Sequence, residues 1–471
     1  SSAKIGEIDY DRRLAAYSAI EGLAWASLGP VAPTAQKILL HQCVFDLTEI
    51  DDFSMQQASS EALKRFITAC KAGGSFGLGC EYRESAYSLL KVGIHSKKEG
   101  VRKEYLHLLS HLFLEFPVEY EGMSVLCDQD QEQDFFKNVT HLQLHRRVRA
   151  VNKVGTLMAE GRIGQDAVVD VIVPVLMGFI CDDAGASQGG TASNLVDKCI
   201  EGLGEASRRV EWPTLRGMLG RFLRILKGKG QQSKSIMRAV SSTMRFFEEH
   251  EEEGQEVEAM QVDGETAGAD ARQFSEPLGY VYRVLLPYLS ALFYQDRDPP
   301  SYLVAVLAQV LRVMPENLTR IELPQLIQRM SSRLKSDLGQ SRINTREAIC
   351  ALLDVTGPAD LSSVLNSIDS SLMNRGVQGY IKCYSVYYVL KNVEGKMRRG
   401  EVDEHLDAFF TVFRVDLFGD VARDRQERKD SEKLFAKTFK EGQRCFSLSA
   451  FEVIAGLVDA EESLQHLLDF V

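Results

Sequence analysis

Two histidine pairs stand at helical spacing, His107 with His111 and His141 with His145. Imidazoles four residues apart share one face of a helix and could hold a metal. A zinc hydrolase would read HExxH, but Leu108 occupies the glutamate's place and no third ligand follows nearby; the second pair has no acid between its histidines. Both pairs read as core or boundary histidines. The run from Gly73 to Gly79 is glycine-rich, yet no Gly-Lys-Ser/Thr follows it and no strand is predicted before it, so it reads as an inter-helix loop. There is no GxSxG element, no Cys-His signature and no isolated acid pair to divide acid from base work. We therefore expect no enzyme, no metal, no cofactor and no small-molecule substrate. Nine cysteines, an odd number without any CxxC pair, read as reduced core thiols.

The remaining chemistry is positive charge. From Asp134 to Ala150 the chain reads as one amphipathic helix: Phe136, Val139, Leu142 and Leu144 anchor an apolar side, and Arg146, Arg147, Arg149 and Lys153 crowd the other. Such a stripe is ordinary surface, a phosphate contact or the seat of an acidic partner helix. Between Arg208 and Arg238 stand nine basic residues and one acid, including Arg216, Arg221, Arg224, Lys227 and Lys229. Three readings are open there: a solvated face, a phosphate-binding face able to displace counterions from nucleic acid, or the partner of an acidic insert folding back.

That insert accounts for the charge of the whole. The chain of 471 residues carries a net −11, yet Glu248 to Glu276 alone holds eleven acids and one base. With little apolar surface to offset its ordering entropy, residues 248–276 should be a disordered acidic segment. Elsewhere 45% apolar residues, 12 prolines, 2 tryptophans and 8% aromatics argue for helices and against a β-sandwich. Apolar positions 101, 105, 108, 109, 112, 113 and 116 trace one helical face, and the rhythm recurs near 303–314 and 406–417, whereas no comparable run alternates with period two.

Breaks such as Asp296–Pro300 and Gly357-Pro358 separate helices into pairs. One pair is expected to open at Ile321 with Pro324 in its first turn, to end at Asp337 and Gly339, and to resume at Arg346. Pro174 and Pro287 mark similar openings, and the 37 residues from Pro287 to Pro324 lie close to the roughly 40 to 47 of HEAT and armadillo units. The expected architecture is an all-α solenoid of HEAT/armadillo-like repeats. It comprises helical repeats without a specific motif at 1–130, HEAT-like repeats with basic helices at 131–247, the acidic insert at 248–276 and HEAT-like repeats at 277–471. No window reaches 18 uncharged apolar residues and the N-terminus lacks a signal core, which suggests a soluble intracellular protein without a membrane partner. The absent initial Met and the apolar stop at Leu467–Val471 suggest a fragment of something longer.

Three stretches in order carry a resemblance. The run from Phe135-Phe136 to His141-Leu142-Gln143-Leu144-His145-Arg146-Arg147-Val148-Arg149-Ala150, the run Asn374-Arg375-Gly376-Val377-Gln378-Gly379-Tyr380, and the run from Asp416 to Ala422 are similar to segments of the down-regulated-in-metastasis family. An acidic insert between the first two agrees with it. At 377–380 the chain has Val-Gln-Gly-Tyr where the family tends toward Tyr-Gln-x-His. The resemblance covers roughly 133–471. It implies a nucleolar, non-enzymatic scaffold of the small-subunit processome that bridges pre-ribosomal or small nucleolar RNA and other processome proteins, with no catalytic residue to carry over. The rival expectation is a protein-only adaptor or transport-receptor solenoid.

Overall fold

A computed structural model describes residues 9–21, 32–71, 79–96, 98–181, 191–228, 233–249, 274–427, 440–442 and 444–459. Among these residues every regular element is helical, and no helix is long and apolar enough to cross a membrane. The chain divides into two compact units, Ser1–Glu249 and His250–Val471. The expected acidic segment lies, apart from its first two and last three residues, outside the described residues, as do residues 72–78 of the glycine-rich run.

In the first unit, α1 (Tyr10–Glu21) and α2 (Ala32–Glu49) lie against α3 (Phe53–Lys71), which packs on α5 (Glu99–Glu115) together with α4 (Gly79–Gly93). Close approach is built in where Gly93 lies against the buried Tyr105 ring: a Cβ there would come within 2.3 Å of it. Short helices α6 (Glu121–Ser124) and α7 (Phe135–Val139) lead into α8 (Leu144–Ala159). Helix α9 (Gln165–Ala167) runs through a π-helical turn, Val168–Ile172, into α10 (Val173–Cys181). The chain continues as α11 (Thr191–Ser207), α12 (Trp212–Lys227), α13 (Ser233–Thr243) and α14 (Phe246–Glu249). One layer is the row α8, α11, α13, with α10 packed across it.

The second unit begins with α15 (Glu276–Tyr280), a π-helical turn Val281–Leu285 and α16 (Leu286–Gln295). It continues through α17 (Ser301–Val313), α18 (Glu316–Arg333), α19 (Gly339–Thr356), α20 (Leu361–Ser371), α21 (Gly376–Val393), α22 (Leu406–Leu417), α23 (Asp420–Glu427) and α24 (Phe446–Leu457). Helices α18, α20 and α22 stack as one layer, and α17, α19, α21 and α24 as the other. Starts at Ser301, Gly339 and Gly376 fall 38 and 37 residues apart, and those at Glu316, Leu361 and Leu406 fall 45 apart. Each unit is thus a stack of helical repeats, as the periodicity predicts.

The prolines match their expected places only in part: Pro174 and Pro287 stand second in α10 and α16, though each of those helices continues a π-helical turn, and Pro324 does not open a helix. Pro324 is the ninth residue of α18, and Gly339 starts α19 instead of closing α18. Pro174 and Pro287 each follow a π-helical turn in which an N–H reaches back five residues, Val173 to Val168 and Leu286 to Val281. A wider turn accommodates a ring that would clash with the carbonyl four residues back, so the helix passes through. The single amphipathic helix expected from Asp134 to Ala150 is likewise two helices. Asp134 caps α7 by accepting the Lys137 N–H at 2.7 Å, and the chain breaks over 140–143 before α8. Phe136 and Val139 are buried, while Leu142 is 86% exposed and anchors nothing.

Within the second unit, α19 is tied to α21 and to the 440–442 turn by buried charge. Glu441 Oε1 accepts from Arg342 Nε at 2.9 Å and from Arg346 Nη2 at 2.8 Å. Arg346 also donates to Ser385 Oγ at 2.9 Å and lies over the Tyr384 ring. Burial alone would raise the Glu441 pKa, but the two guanidinium hydrogen bonds hold it below its usual value. Removing one partner of a buried set leaves uncompensated charge. Glu441→Ala is therefore expected to lower unfolding free energy by about 3 to 5 kcal/mol in urea titration. Because the folded pKa is depressed, this contribution is full at neutral pH and fades as pH falls below about 4.5.

Candidate nucleic-acid interface

The basic residues of α8 turn inward onto their own unit. Arg146 and Arg149 both approach the Glu132 carboxylate, at 3.8 and 3.3 Å. Lys153 donates to the Gln133 carbonyl at 2.6 Å and lies 3.6 Å from Asp128. Arg147 gives its Nε–H to the His141 carbonyl at 2.6 Å, pairs with Glu99 at 3.2 Å and covers the Phe179 ring. The stripe thus clasps the 128–133 segment and the start of α5. Arg149 is the most exposed of the four, at 52%.

Helix α12 differs. Its buried face is Leu215, Met218, Leu219, Phe222 and Leu223, and Arg216, Arg224 and Lys227 stand on the opposite, exposed side. Arg224 is exposed and gives its Nε–H to the Gly220 carbonyl, and Arg221 is half-buried near His95. Neither Arg221 nor Arg224 forms an ion pair among the described residues. Further along the cluster, Arg208 pairs with Glu205 and Glu248, and Arg238 with Asp197. Lys229 lies outside the described residues.

The histidines do not converge. His107 Nε2 meets Thr140 Oγ1 at 3.1 Å, while His111 Nε2 meets Thr68 Oγ1 at 3.0 Å. The Thr140 hydroxyl already donates to the Phe136 carbonyl, so His107 Nε2–H is the donor to Thr140. Eight cysteines are free thiols among the described residues, and burial pushes Cys43 and Cys70 up to about 11 and Cys127 and Cys350 up to about 12. Such thiols are unreactive at neutral pH.

The resemblance-bearing stretches have structural work. Asn374 and Asp369 receive the buried Lys382 ammonium, and Gly379 lies so close to Val421 that a Cβ would approach its Cγ2 to 2.4 Å. Asp416, fully buried in α22, accepts from Ser447 N at 3.1 Å and Oγ at 2.6 Å and so caps α24 from a neighbouring helix. Sequence reading placed the second and third stretches without joining them. The signal available was local composition, since Lys382 and Asp416 are each flanked by apolar residues on a helix and, once buried, require partners.

Helix pairs stacked in two layers within each unit define a helical-repeat protein. Within that class the chain belongs to the U3 small nucleolar RNA-associated protein 20 family. The family's N-terminal model matches residues 1–98 and its second domain model, described as the U3 small nucleolar RNA-associated protein 20 domain, matches 300–471, together more than half of the chain. The similarity thus reaches the first hundred residues, where no motif was legible. Two proteins named U3 small nucleolar RNA-associated protein 20 are similar along nearly the whole chain. The one from Schizosaccharomyces pombe is 26% identical over 99% of this chain and 19% of its own length, and that from Saccharomyces cerevisiae is 22% identical over 98% and 18%. The chain spans about a fifth of these relatives.

Two outcomes follow from this geometry. Arg147→Gln breaks a half-buried charged hydrogen bond and should lower stability by about 1.5 to 3 kcal/mol in urea titration, whereas Arg149→Gln should leave the midpoint nearly unchanged. Burial, and then Lys103 and Lys64 against the opposing Glu104, holds the His107 pKa below 6.5. The unfolded chain therefore binds a proton that the folded chain refuses, and thermal stability should decline as pH drops below about 6.5. His107→Gln should flatten that decline.

Proposed function

We propose that this chain is a non-enzymatic scaffold segment acting in nucleolar ribosome biogenesis, bridging small nucleolar or pre-ribosomal RNA and processome proteins. The relatives' shared name supports the U3-associated setting. The observation that supports direct RNA contact is α12, where Arg221 and Arg224 lack ion pairs among the described residues on a helix whose other face is fully packed. In this reading Arg216, Arg221, Arg224, Lys227 and Lys229 meet phosphates, and Arg149 joins them more readily than Arg146, Arg147 or Lys153, which must first release their partners. Recognition is of backbone, because guanidinium groups along one helix face replace counterions without reading base edges. The scaffold acts by shape and charge, and no residue is assigned a chemical step.

The test is RNA binding by the purified chain, followed by fluorescence anisotropy across a salt series with several unrelated structured RNAs. Arg221→Gln with Arg224→Gln should weaken all RNAs alike and reduce the salt slope by about 0.7 to 0.9 per lost phosphate contact, with the circular dichroism unchanged. An unchanged affinity and slope would remove α12 from the RNA surface and favour a protein-only adaptor.

A further inference from the structure

A groove of about 270 Å³ opens between α5, the 139–142 turn, α8 and α10. Its floor is aliphatic, with Ile94, Leu106, Val139 and Val175, and its wall includes Phe179. Two of its lining residues are glycines inside helices, Gly100 in α5 and Gly178 in α10, and a Cβ at either would meet nothing within 4 Å. Neither position has a left-handed backbone or a neighbour that forbids a side chain. The space above them is therefore open to an occupant. At the lip stands Leu142, which the sequence pattern assigned to the core and which is 86% exposed.

The rim carries a positive balance of charge. Among the lining residues Arg102, Lys103 and Arg147 face a single carboxylate, Glu99, and this in a chain whose net charge is −11. The field reaches His141 next to the lip: partial desolvation, then the positive charges of Arg146, His145, Lys103 and Arg147, hold its pKa below the usual value. A stacked base would need an open aromatic face, and the Phe179 ring is covered by the Arg147 guanidinium. The volume falls just under the roughly 300 Å³ at which small-molecule sites begin, and suits a large side chain instead.

We propose that this groove docks an acidic segment of a partner protein, which inserts one bulky apolar side chain over Gly100 and Gly178 and sets its carboxylates against Lys103 and Arg102. The site is a peptide-docking surface independent of the α12 phosphate face, so failure of either leaves the other standing. The stretch from Asp134 to Ala150, for which the sequence left surface, phosphate and an acidic partner helix open, would then serve a protein contact through Val139, Leu142 and Arg147.

The test places a photo-reactive amino acid at Leu142 in the full-length protein in cells and maps the cross-linked molecule by mass spectrometry. Expected is a protein segment rich in Asp and Glu with an adjacent Leu, Phe or Met, lost when Gly178→Leu or, separately, Gly100→Leu fills the groove. A synthetic copy of that segment should bind the purified chain, at least tenfold more weakly after either glycine substitution and about three- to tenfold more weakly after Lys103→Glu, with unchanged thermal melting. Cross-linking to RNA, to this chain's own residues or to a segment without acids would overturn the proposal. So would a cross-link that survives both glycine substitutions, or none at all.

Discussion

A helix that is apolar along one stripe has nowhere to put that stripe except on another helix, and a helix pair has nowhere to put its remaining apolar edge except on the next pair. That constraint organises both units. In the second, α18, α20 and α22 cover one another and α17, α19, α21 and α24 do the same behind them. Every repeat is buried by its neighbours and no repeat encloses a core of its own. Polar groups of the described residues have two kinds of place. They sit either at the seams between repeats or on the outward faces.

In the second unit the seams hold the buried charge, and three instances close interfaces between different elements. Glu441 holds α19 through Arg342 and Arg346; Lys382 of α21 holds Asp369 and Asn374 at the end of α20; Asp416 of α22 caps α24. These groups are costly to bury, which makes a wrong register between repeats costly as well, since it would strand them unpaired. The stretches that resemble the family lie largely at such seams. Their residue types are explained by closure of the stack before any ligand is considered.

On the outward faces the same residue type has two fates. The α8 cations are drawn into pairs with Glu99, Asp128 and Glu132 because the 128–133 segment returns alongside them. Arg221 and Arg224 of α12 have no such segment among the described residues. Among the described residues Arg221 and Arg224 hold no carboxylate that a phosphate would displace, whereas at α8 the charge is largely spent and an apolar groove lies beside it.

The sequence by itself determined the helical content, the repeat length and the family, because period-3.6 patterning and the order of three stretches are local properties that survive without coordinates. It also placed the charge. It could not decide where helices start and stop around proline, since Pro174, Pro287 and Pro324 are carried within helices by wider turns or interior placement that no pattern of apolar residues encodes. Nor could it separate α7 from α8, because Leu142 continues the apolar rhythm while the backbone breaks beneath it. Only the tertiary structure decided which cations are spent, for pairing depends on Glu99 and Glu132 arriving from 48 and 17 residues away along the chain. An apolar position with nothing packed on it and a glycine with nothing above it look, in sequence, like any other, because emptiness is a property of the neighbours and not of the residue.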